Sequence, residues 1–165
     1  MARPKLIPDT EVFDAIQLLL MQGGDKAVAF ASVARATGLA AATLVQRFGS
    51  REAMVLAALQ AQWDRAEAVL ARADLPLNAK GAVALLKTLP DVAALVCQSQ
   101  RHPALRARAH SWRGAVLSKL AAQLGGGAKG AEAAAAAFAL WQGQSLWKSH
   151  GDKGFRLKDT LRRLT

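Results

Sequence analysis

The 165-residue chain has no tyrosine, one cysteine and only five prolines. The single thiol, Cys97, excludes an internal disulfide and any multi-cysteine zinc site, and it fits a reducing cytosol. β-Branched residues are few, whereas Ala and Leu together make up more than a third of the residues. That mixture favours helix and argues against a sizeable sheet. Acidic residues number only 12, and no carboxylate pair, nucleophile with a base, or cofactor fingerprint is visible, so neither an enzyme nor a cofactor is expected. His102, His110 and His150 have no partner at metal-ligand spacing, which excludes the usual metal sites. No apolar run reaches the roughly 18 residues that span a bilayer. The opening MARPKLIPDTEVF lacks the apolar stretch of a signal peptide. The expectation is a soluble, cytoplasmic, all-α protein with no membrane partner.

Hydrophobic residues are 52% of the chain against 21% charged, enough apolar material for a core and too much for general disorder. The net charge of +10 is unevenly placed. Residues 1–68 carry as many acids as bases, and the whole excess lies in residues 69–165. A nucleic-acid reader in the first third must therefore use a few placed cations. The basic excess behind it attracts an anionic ligand, adds long-range attraction to DNA, or is a solvated surface.

Pro8-Asp9-Thr10-Glu11 marks a helix start, with a capping residue and an acid in the first turn. Val12, Phe13, Ile16, Leu19 and Leu20 then recur at helical spacing until Gly23-Gly24. Short helices follow at about 30–36 and 41–48, separated by Gly38. Ser50-Arg51-Glu52 caps a longer helix reaching about residue 73. Beyond the 75–78 break, helices are predicted at 79–88, 91–101, 103–109, 110–124 and 131–150, and a short amphipathic one shows Leu157, Leu161 and Leu164. The stretch Gly125-Gly126-Gly127-Ala128-Lys129-Gly130 is glycine-rich like a phosphate loop but lacks the terminal G-K-[ST] and follows a helix, so it is a linker.

The segment AFASVARATGLAAATLVQRF has the pattern of a helix-turn-helix. Phe30, Val33 and Ala34 bury its first helix, Gly38 permits the tight turn, Leu39 fills the angle, and Leu44 and Phe48 anchor the second helix. Small residues at Ala34 and at 40–42 allow close approach and a slim helix for a major groove about 12 Å wide. In this context residues 9–60 resemble the N-terminal domain of the TetR family of bacterial transcriptional regulators. The matching pieces are Phe13, Ala15, Ile16 and Leu19, then Val33-Ala34, Gly38-Leu39, Thr43-Leu44 with Phe48, and Ser50-Arg51-Glu52-Ala53 opening the linking helix. The C-terminal likeness is one of architecture, with the helices at 110–124 and 131–150 in the place of the family's dimerisation pair and Gly143 at a common glycine position.

The resemblance implies a helix-turn-helix DNA-binding domain over residues 1–50 and a helical ligand-binding and dimerisation domain over 51–165. It implies a double-stranded DNA operator, a homodimer, and release of a repressor by a small molecule. The chain departs from the family at Ala29, Ala40, Ala41 and Val45, where capping or phosphate-binding polar side chains are usual. DNA contacts are then expected from Thr43, Gln46, Arg47 and Arg51, with Arg3 and Lys5 on the N-terminal arm. Gln46 suits adenine and Arg47 guanine; each is otherwise part of a solvated helix face.

The family's cavity points to Trp63, Leu95, Cys97 and Trp112 as lining residues, although Cys97 more simply reads as a small buried hydrophobe. The basic cluster Arg101-His102-Pro103-Ala104-Leu105-Arg106-Ala107-Arg108 reads as surface, or as a seat for an anionic effector. The scarcity of acids around it makes an anionic or amphipathic effector the expectation. Leu117, Phe138, Trp141, Gly143 and Trp147 are expected at the dimer interface. A competing reading keeps the fold as a helical ligand-binding or interaction protein whose helix-turn-helix has lost DNA. A cationic membrane-surface role for the 157–164 helix is a third.

Overall fold

The computed structural model describes residues 7–151 and 159–160. Arg3, Lys5 and most of the expected helix at 157–164 lie outside them. Eight α-helices and no strand occur among the described residues, so the all-α expectation holds. They are α1 (Asp9–Gly23), α2 (Phe30–Thr37), α3 (Ala41–Phe48), α4 (Arg51–Arg72), α5 (Ala79–Thr88), α6 (Ala93–Ser99), α7 (Pro103–Gln123) and α8 (Gly127–Trp147). The chain divides into two compact units, residues 1–64 and 65–165. The division falls inside α4 rather than beside residue 50, so its early turns, where Met54, Val55, Ala58 and Leu59 are buried, belong to the first unit.

In the first unit, Val12, Ile16 and Leu20 form the buried stripe of α1, and Phe13 meets Phe48 with ring centroids 6.0 Å apart. Val33 of α2 and Leu44 of α3 are fully buried. Gly38 ends α2 at φ 76°, ψ 10°, the left-handed conformation the tight turn requires. Thr37 Oγ1 donates to Val33 O at 2.8 Å and accepts from Leu39 N at 3.3 Å, closing the same turn. Ser50 Oγ accepts from Ala53 N at 3.0 Å, the cap expected for α4.

α1 and α2 both start without a side-chain cap. The residue at the cap of α1 is Pro8, with no side-chain bond, and Asp9 sits in the first turn. Ala29 caps α2 without a side-chain acceptor; Ser32, three residues on, accepts from Ala29 N at 2.9 Å and donates to Ala27 O at 2.7 Å. Half of a capping box thus survives the loss of the usual polar cap.

In the second unit, Asn78 Oδ1 caps α5 through Gly81 N at 3.0 Å. Gly81 is there because a Cβ would stand 1.9 Å from Pro76 O. The helix predicted at 91–101 shortens to α6, since Asp91 Oδ1 accepts from Ala93 N in a local turn. The predicted helices 103–109 and 110–124 are one helix, α7: Pro103 occupies its first turn, and no breaker separates Ala109 from His110. The glycine linker narrows to Gly125 and Gly126, because Gly127 already opens α8. Cys97 is exposed, not buried. Leu95 and Ser99 face inward on α6, and Cys97 lies about 200° around the helix from Leu95.

Trp112, Phe138 and Trp141 form an aromatic ladder between α7 and α8, with centroid separations of 6.4 and 5.6 Å. Trp112 Nε1 donates to Ala66 O at 3.2 Å. Arg108 forks onto Glu67 with Nε–Oε1 at 2.9 Å and Nη2–Oε2 at 2.6 Å. One member of the basic cluster at 101–108 is thereby an internal tie rather than plain surface.

Candidate nucleic-acid interface

α3 is eight residues long and held by Leu44, fully buried, and by Phe48 against Phe13. Its residues Ala41, Ala42, Val45 and Gln46 are exposed and share one side of the helix, whereas Thr43 is half-buried. Val45, at 44% exposure, is a large apolar side chain with water for a neighbour.

The two arginines expected on DNA have protein partners. Arg47 Nη1 donates to Ile7 O at 2.8 Å and lies 3.3 Å from Asp9 Oδ1, so it ties the start of α1 to the end of α3. Arg51 Nε donates to Val28 O at 2.6 Å, its Nη2 donates to Asp25 O, and Nη2 is 3.0 Å from Asp25 Oδ1. A further ion pair reaches Glu52 at 3.6 Å. Arg51 therefore clasps the 3-10 turn Asp25–Ala27 to the first turn of α4. Its side chain is 29% exposed, so only part of its charge faces solvent. Of the expected DNA-binding residues that are described, Gln46 and Arg47 are exposed and Thr43 is half-buried. The sequence reading missed Asp9, Ile7 and Ser32 as partners. The S-x-x-spacing behind Ala29 was readable for Ser32, whereas the Arg47 contact spans 38 to 40 residues and left no local signal.

Of the candidate ligand-lining residues, Trp63 is buried in the first unit; Leu95 and Trp112 are buried and Cys97 is exposed in the second. An open recess beside the α7–α8 turn is lined instead by Leu124, Gly126, Lys129, Gly130, Glu132 and Ala136, among others. Gln123 Oε1 and Gln142 Nε2 are buried without a hydrogen-bond partner. Among the described residues no group of three or more His, Cys, Asp or Glu side chains could hold a metal ion. No single helix there is long and apolar enough to cross a membrane.

Of the residues expected between subunits, Phe138 and Trp141 belong to the intrachain ladder, and Trp141 is buried. Leu117 is half-buried, Gly143 is exposed, and Trp147 is 57% exposed beside the equally exposed Leu146. The exposed side of α8 carries Ala131, Ala135, Ala139, Gly143 and Trp147 at a strict four-residue spacing. The exposed side of α7 carries Ala107, Ser111, Ala115, Ser118 and Ala122.

No protein-family description matches the chain, and no curated protein matches it. Solved structures do. A TetR transcriptional regulator from Legionella pneumophila is similar at a TM-score of 0.66 and 18% identity, over 98% of this chain and 96% of that one. The multidrug binding protein EbrR complexed with proflavin is similar at 0.53 and 22%, over 95% and 99%. Its complex with imidazole is similar at 0.56 and 20%, over 99% and 96%.

Proposed function

From a chain with the TetR-regulator fold, we propose a homodimeric DNA-binding transcriptional regulator, a repressor released when a small molecule enters its second unit. The observation that carries this reading is α3 itself: a glycine-turned helix-turn-helix whose second helix is anchored on one side and open on the other. That open side is slim enough for a major groove. Gln46 would read a base edge, Thr43 and the N-terminal Arg3 and Lys5 would meet the backbone, and Arg51 would contribute the part of its charge that faces solvent. Arg47 would act mainly by fixing α1 against α3. Such a regulator works where the DNA is, in the cytoplasm.

The dimer reading rests on the two stripes of small residues on α7 and α8. Helices with small exposed faces approach closely, and two pairs of them make a four-helix bundle. Leu146 and Trp147 then gain cover that a single chain does not provide. Gly143 offers a clean test, because a Cβ there meets nothing within 4 Å in its own chain. Gly143→Phe should leave the helical content unchanged and convert the dimer to monomer in sedimentation. A wild-type chain that sediments as monomer at micromolar concentration removes the reading.

The effector reading rests on the buried amide atoms of Gln123 and Gln142, polar groups that a ligand in the second unit would satisfy. The excess of basic residues in that unit favours an anionic or amphipathic molecule. EbrR, a fold neighbour, is described as a multidrug binding protein.

A second reading, a ligand-binding protein that no longer holds DNA, is favoured by the internal ties of Arg47 and Arg51 and by the alkyl residues Ala29, Ala40, Ala41 and Val45. Titration of the full chain against duplex from upstream of its own gene separates the two. Salt-sensitive binding that saturates at one dimer per site supports the regulator; equal, weak binding to every duplex supports the second reading.

A further inference from the structure

We infer that α3 reads A·T-rich half-sites through the 5-methyl groups of thymine, an assignment that rests on the proposed DNA-binding function and names the sequence class it takes. The solvent side of α3 presents three alkyl groups, Ala41, Ala42 and Val45, and one amide, Gln46. Arg47, exposed at the end of α3, gives its Nη1 to Ile7 O and Asp9 Oδ1, which ties its guanidinium to the start of α1. The thymine methyl is the apolar group that the major-groove edges of the four base pairs offer, so it is the natural partner for that alkyl surface. The polar major-groove groups of A·T and G·C pairs, three in each, lose water alike against Ala and Val, so it is the thymine methyl that tips the contact toward A·T. Gln46 completes the pattern, because its amide both donates and accepts and matches adenine N7 and N6. The exposure of Val45 has no explanation in the packing of the chain, since Leu44 and Phe48 already anchor the helix.

The test is selection of duplexes from a random pool by the full-length protein, followed by replacement of thymine with deoxyuridine in the enriched site. Uracil lacks only the 5-methyl group. We expect enrichment of half-sites with consecutive A·T pairs, and about a fourfold loss of affinity for each contacted thymine replaced, the worth of one buried methyl. Val45→Ser should abolish most of the thymine-to-uracil difference, and Gln46→Ala should lower the preference for adenine at one position by about tenfold. Both side chains are exposed, so neither change threatens the fold. Enriched G·C-rich sites, or equal affinity for thymine and uracil duplexes, overturn the assignment while leaving DNA binding in place. A pool from which nothing is enriched overturns the DNA-binding function itself.

Discussion

In the first unit, helices of 15, 8 and 8 residues are tied by polar side chains reaching to backbone: Arg47 to Ile7, Arg51 to Val28 and Asp25, Ser32 to Ala27. In the second, two helices of 21 residues each share an aromatic ladder, and the polar ties run from α7 to the end of α4, Arg108 to Glu67, Trp112 to Ala66 and Lys119 to Ala73. The contrast follows from length. An eight-residue helix can bury one or two large side chains, here Val33 in α2 and Leu44 in α3, and at about 1.5–3 kcal/mol each these do not fix its orientation. A long helix repeats its buried stripe often enough that its polar ties add to an orientation already set, whereas two short helices meeting at a defined angle depend on theirs.

If apolar fit governs the second unit and polar ties govern the first, the two should break under different substitutions. The largest effect should come from Gly81→Ala, whose Cβ would collide with the carbonyl of Pro76. Because backbone must move, we expect a loss of about 3 kcal/mol in urea denaturation. A loss below half of that would show the 75–78 turn to be pliant. Arg51→Met comes next. It keeps the alkyl stem but removes the donors to Val28 O and Asp25 O, and Val28 is buried. A loss of about 2 kcal/mol is expected, read as faster amide exchange in the Asp25–Ala27 turn.

The matching change in the second unit, Arg108→Met, should cost less, about 0.5–1 kcal/mol, despite the bidentate geometry. Glu67 is 43% exposed and returns to water when its partner is lost. Equal losses for Arg51→Met and Arg108→Met would erase the distinction between the units. The smallest effect should be a gain: Gly143→Ala has open space around its Cβ and should stabilise α8 by about 0.5–1 kcal/mol, seen as a small rise in melting temperature.

What the sequence made legible was local. Gly38, the Ser50 cap and the apolar spacing of α1 through α4 follow from patterns within a few residues, and each stands where expected. The sequence reading divides 103–124 at residue 110, yet no breaker stands there and Pro103 carries the start signal for the one helix. The exposure of Cys97 was hidden by its apolar neighbours, and only the phase set by Leu95 and Ser99 reveals it. The site was less legible than the fold. Arg47 in a recognition helix reads as a base contact until the carbonyl of Ile7, 40 residues earlier, is seen to occupy it.

That sequence separation carries a kinetic consequence. Arg51 finds its partners 23 and 26 residues upstream, and Arg47 finds its own 38 and 40 upstream. Both contacts close loops whose ends meet only after α2 and α3 have been laid against α1, so they belong to the native side of the folding barrier. Replacing either arginine should then speed unfolding in proportion to the stability lost while refolding stays nearly unchanged. α3 would then be the part of the first unit that is assembled late and released early.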